Sequence, residues 1–96
     1  MYKIFYEPNA ESDLLEIIIY YAENNSFEYA NQIQELIKND IKSLENMPYR
    51  VRQSILIPET REFLISKLPY KVFLKIDEKN KKIFILNIVH TSRKFP

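Results

Sequence analysis

Ninety-six residues with no cysteine, no glycine and one histidine suit a single folded domain with a modest core. The absence of cysteine excludes disulfides, thiolate nucleophiles and Cys-ligated zinc, and with a lone histidine no metal site or other cofactor is expected. The absence of glycine excludes glycine-rich phosphate loops, dinucleotide fingerprints and lipase-type nucleophile elbows.

The formal charge of +1 hides an uneven distribution. Residues 1–46 carry three Lys/Arg against nine Asp/Glu, and residues 47–96 carry eleven against four. The basic half is a candidate surface for nucleic acid or an acidic protein; the alternative is a set of solvated strand rims. The opening "MYKIFYEPNAESDLLE" places acidic residues where a signal peptide needs an apolar core, and no apolar run approaches membrane-spanning length. A cytoplasmic location without membrane contact is expected.

Tyr2–Tyr6 reads as a strand that Pro8 ends. Asn9 is placed to cap a helix from about Ala10 to Glu23, with Leu14, Ile17, Ile18 and Tyr21 as its apolar stripe. Ser26 is placed to cap a second helix, Phe27 to about Glu45, with Phe27, Ala30, Ile33, Ile37, Ile41 and Leu44 along one face and Pro48 beyond its end. The short break between them predicts an antiparallel helical hairpin.

From Arg50 onward strand formers take over. "VRQSILI" is a weak strand, "REFLISKL" a second, and "YKVFLKI" a third, with Tyr70, Val72, Leu74 and Ile76 on one face and Lys71, Phe73 and Lys75 on the other. "DEKNKK" turns the chain into "IFILNIV", which is apolar on both faces except for Asn87 and reads as an inner strand. The fold class expected is α+β: an N-terminal strand, a helical hairpin, then three or four mainly antiparallel strands in one sheet. Whether the first strand joins in parallel stays open.

Arg61, Lys71 and Lys75, rimmed by Arg50, Arg52, Arg93 and Lys94, are expected to share one basic face able to hold phosphates, with Tyr49 or Phe73 for base stacking. His90 is the one natural general acid or base near neutral pH. In an RNA-cleaving reading it acts with Arg61 and Arg93, and Glu59, Glu62 or Tyr70 supplies the second proton-transfer group. The alternative is that His90 ends the last strand by bonding a neighbouring backbone group. Ser92 has no Asp–His arrangement around it, so a serine hydrolase is excluded. The Glu11/Asp13 and Asp77/Glu78 pairs read as helix-start and turn carboxylates.

Taken together, "YKIFYEPNAESDLLEIIIYYAENN", "IKSLENMPYRVRQS", "TREFLISKLPYKVFLKID" and "IFILNIVHTSRKFP" resemble, in this order, the ParE/RelE superfamily of bacterial toxin–antitoxin toxins. The resemblance spans nearly the whole chain and implies a RelE/ParE-like fold. It also implies a cognate antitoxin, for which Leu15, Ile19 and Tyr20 are candidate contacts, and a homodimer is a further possibility. Within the superfamily, ParE-like members poison DNA gyrase and RelE-like members cut mRNA in the ribosomal A site. The "DL..I..Y" helix and the His90–Arg93 ending resemble the ParE branch. Phe95, which cannot transfer a proton, lies where a RelE-type catalytic tyrosine would serve.

Overall fold

The computed structural model describes residues 1–55 and 57–92, apart from the side chain of Arg50. Strand β1, Lys3–Tyr6, runs directly into helix α1, Pro8–Asn24. The expected Asn9 cap does not form: Glu7 occupies the cap position in extended conformation, and Pro8 is already helical. Proline lacks an N–H and has φ preset, so it costs nothing in the first turn, and the helix starts earlier than its capping residues suggest. Ser26 does cap helix α2, Phe27–Lys42, its hydroxyl accepting from the Tyr29 N–H. Past Lys42 the chain tightens into a 3-10 turn, Ser43–Glu45, rather than continuing as α-helix, the usual way of satisfying a helix's last carbonyls.

The helices pack side by side and cover one face of the sheet. Ala10, Leu14 and Ile17 of α1 and Ile33, Ile37 and Ile41 of α2 join Leu44 in a core completed by residues of two inner strands and the segments beside them. Four of these side chains, Ile33, Ile37, Ile41 and Leu44, are among the largest fully buried ones. Each contributes about 1.5–3 kcal/mol by leaving water. Phe27, expected on the same stripe, is 80% exposed, because it lies at the very start of α2.

The remaining strands are β2 (Arg52–Gln53), β3 (Arg61–Leu64), β4 (Tyr70–Asp77) and β5 (Lys82–His90). They form one sheet in the order β1-β5-β4-β3-β2. β1 lies parallel to β5, and the other pairings are antiparallel. β5 is therefore an inner strand, as its two apolar faces suggested.

Its register shifts once: Phe73 pairs with Asn87 but Leu74 with Ile85, which leaves Leu86 as a bulge. The bulge moves the buried set from Ile83 and Ile85 to Ile88, so the core face continues without taking in Asn87. With no glycine available, Glu59, Lys67 and Lys81 adopt positive φ in the turns. Asp40 of α2 holds the Lys67 turn by accepting from the Ser66 N–H at 2.6 Å. No helix among the described residues is long and apolar enough to cross a membrane.

Candidate functional site

The single basic face expected from the sequence does not form. Register pairs Arg61 with Leu74 and Leu64 with Lys71, and directly opposed residues point to the same side of a sheet. Arg61 therefore projects with the helix-facing residues, where it donates to the Val51 carbonyl at 2.9 Å and lies 4.9 Å over the Tyr49 ring. Lys71 and Lys75 project from the far side.

Lys71 is not free to bind phosphate either. Its ammonium lies 3.2 Å from Glu62, which also takes Arg52 at 3.0 Å and the Ser54 hydroxyl at 2.7 Å. The Glu62 side chain is only 2% exposed, so an ionised carboxylate there needs these partners. Burial pushes its carboxyl up, but the bonds from Ser54, Lys71 and Arg52 outweigh burial and hold it below the usual range. Glu62, offered above as a proton-transfer group, is thus a structural anion.

Phe73, considered for base stacking, is fully buried. Glu59 lies by Arg61 and Tyr49, away from His90. Lys75 is exposed. The side chain of Arg50, together with Arg93, Lys94 and Phe95, falls outside the described residues.

His90 lies at the end of β5, opposite Tyr70, with the two rings edge to face at 5.5 Å. The Ser92 N–H donates to His90 Nδ1 at 3.2 Å, and the Ser92 hydroxyl is 2.7 Å from the same nitrogen. A nitrogen that accepts from a backbone N–H carries no proton, so the neutral ring bears its proton on Nε2. The strand-ending role weighed for His90 is therefore present in the geometry. Arg61 is no partner to it: four residues along β4 and two strands across place their Cα atoms about 16 Å apart.

Beside His90, an open cleft of about 470 Å³ is lined by Asp13, Glu16, Tyr20, Tyr70 and Ser92. Asp13 has a task the sequence reading missed. β1 stops at Tyr6, so it leaves the outer edge of β5 uncovered beyond Ile85. There Asp13 Oδ2 accepts from the Ile88 N–H at 2.9 Å and from Asn87 at 3.4 Å. The helix-start assignment is corrected accordingly: this carboxylate stands in for the missing strand. A signal for it existed, because Asp13 lies three residues after Ala10 and four before Ile17, on the edge of the buried stripe.

On the outer side of α1, Leu15, Ile19 and Tyr20 are 57%, 45% and 58% exposed. Leu15 and Ile19 are one turn apart, so they form a continuous apolar strip. It borders a groove of about 700 Å³ with Tyr6, Leu14 and Ile18 on one wall and Gln34 and Lys38 of α2 on the other. Burial beside this groove pushes the Tyr6 hydroxyl up to about 12.

The order of elements and the sheet topology are shared with solved toxin structures. The chain is similar to one from the chromosomal ParDE toxin–antitoxin system of P. aeruginosa, with TM-score 0.83 and 21% identity over 94% of this chain and 96% of that one. It is also similar to a chain of the intact E. coli RelBE toxin–antitoxin complex, with TM-score 0.69 and 11% identity over 97% and 100% of the two chains. A chain of the RelBE2 complex from Mycobacterium tuberculosis matches with TM-score 0.62 and 18% identity over 93% and 96%. No curated protein matches.

The fold is thus that of the RelE/ParE toxins. The model of one family, described as "ParE toxin of type II toxin-antitoxin system, parDE", matches residues 4–95. The chain belongs to that family and is a toxin of the type II toxin–antitoxin class.

Proposed function

We propose that the chain acts in the cytoplasm by inhibiting DNA gyrase, and that a cognate antitoxin neutralises it through the strip at Leu15 and Ile19 and the neighbouring Tyr20. The observation that carries this reading is the family match across residues 4–95. The strip and groove on α1 suit an amphipathic partner segment, which gains by burying apolar side chains that the lone toxin leaves in water. Without the antitoxin, the same strip is where a homodimer would form.

Purified toxin should block gyrase supercoiling, and added antitoxin should restore it. Full supercoiling at saturating toxin would sink the proposal. A second reading, ribosome-dependent mRNA cleavage, draws on the Tyr70 and His90 rings that meet in one cleft. It requires A-site cuts in a translating extract that vanish in Tyr70→Phe and His90→Ala, and intact mRNA would dismiss it.

A further inference from the structure

The sheet face turned away from the helices carries an assembly used by neither reading. Register pairs Lys3 with Lys82 and Phe5 with Phe84 across β1 and β5, and Phe84 with Lys75 across β5 and β4. Residues paired in this way point to one side. That side is the far one, because the alternating Ile83 and Ile85 belong to the core under the helices.

Phe5 and Phe84 stack with centroids 5.7 Å apart and planes at 26°, and the Lys82 ammonium lies 5.5 Å from the Phe5 ring. Phe5 is still 41% exposed. Lys3 and Lys75 are exposed, Lys82 is half-buried, and none of the three has an ion pair among the described residues. Of the far-face acids, Glu62 is bonded by Lys71 and Arg52, and Asp77 is bonded by Asn80 and lies opposite Lys82, whose charge helps to lower its carboxyl.

A partly exposed aromatic pair flanked by Lys3 and Lys75, which have no ion pair among the described residues, is complementary to a ligand with a repeating anionic backbone and flat apolar faces. Single-stranded nucleic acid has both. A duplex hides its base faces within the stack, and an acidic protein would use the lysines but leave the stacked rings without a role.

We propose that Phe5 and Phe84, with Lys3, Lys75 and Lys82, form a docking surface for single-stranded nucleic acid. It is separate from the His90 cleft, since Phe84 lies about 17 Å back along β5 from His90. Bases stack on the exposed ring of Phe5 while the lysines hold the phosphates on either side.

Fluorescence anisotropy of the full chain with labelled twelve-residue oligo-dT and oligo-U tests this and shows whether deoxyribose or ribose strands are preferred. Binding of at least one is expected, weakening as salt rises. Phe5→Ala should weaken it by about five-fold or more. Phe5→Leu keeps the apolar volume and should show the same loss with the fold intact by circular dichroism. Lys75→Ala and Lys82→Ala should each lower the salt slope by about one, and Lys42→Ala on the helical layer should change nothing. The proposal is overturned if Phe5→Leu binds like the parent or if a twelve-base-pair duplex binds as tightly as the single strand. Displacement by poly-glutamate as effective as by unlabelled oligonucleotide would also overturn it, by marking the face as one for acidic proteins.

Discussion

Glu62 and Glu78 each draw in three side-chain donors, one from within the sheet and the other from the surface. Glu62 takes Arg52, Lys71 and Ser54 while almost wholly buried. Glu78 takes Lys81, Tyr2 and Tyr49 with its side chain half in water. The Glu78 carboxyl is lowered to about 2 by the bonds from Lys81, Tyr2 and Tyr49, yet water and salt can replace those partners at little cost. Glu62 has no such replacement. The number of bonds is the same, and the consequence of losing the carboxylate differs because only one site lacks solvent.

The largest test of this contrast is Glu62→Ala, which should cost about 3 kcal/mol by leaving Lys71 as an uncompensated, partly buried cation. Urea unfolding would show it as a lower midpoint at constant m, and a negligible shift would put Glu62 in the same class as Glu78. Replacing both partners, Glu62→Leu with Lys71→Met, should recover most of that loss, because apolar side chains of similar size need no partner.

Asp13 is intermediate, half-buried and bonded to backbone. Asp13→Ala should cost about 1–2 kcal/mol through the orphaned Ile88 N–H, and hydrogen exchange at Ile88 should accelerate before that of residues under β1.

Acid removes both carboxylates. Both carboxyls have folded values below their ordinary ones. The stability they contribute is therefore present above the unfolded value, 4.5, and is lost as pH falls through the folded one, about 2 for Glu78. Unfolding midpoints should fall across that window, and both Glu62→Ala and Glu78→Ala should flatten the slope. The smallest effect is expected for Glu78→Ala at neutral pH, where solvent screens the lost bonds and the midpoint should fall by less than in Asp13→Ala.

Much of the architecture was legible from periodicity. The stripes of Leu14 and Ile17 and of Ile33, Ile37 and Ile41 defined the helices, and the two apolar faces of β5 placed it inside the sheet. The site was less legible because faces depend on register. Whether Arg61 lies with Lys71 is decided by the Ile65–Tyr70 turn, where Ile65 N–H meets the Tyr70 carbonyl at 3.0 Å, and a one-residue change there would invert the answer. The Leu86 bulge is similarly silent in the sequence. So is the buried Glu62, since an Arg-Glu pair at a strand start looks like surface charge until its neighbours are known. Asp13 was readable in principle, as a carboxylate on a helix's buried edge.

The pairing of Lys3 with Lys82 in a parallel ladder bears on how the molecule comes into being. β1 leaves the ribosome first but has no strand to join until β5, its neighbour in the sheet, has been synthesised. Contacts so distant in sequence make for slow, late closure. The helical hairpin can form while translation continues, but its sheet-facing side stays uncovered meanwhile. A nascent toxin therefore presents the hairpin before the finished sheet, and an antitoxin that recognises the hairpin alone would have an earlier opportunity to bind than any target that requires the sheet.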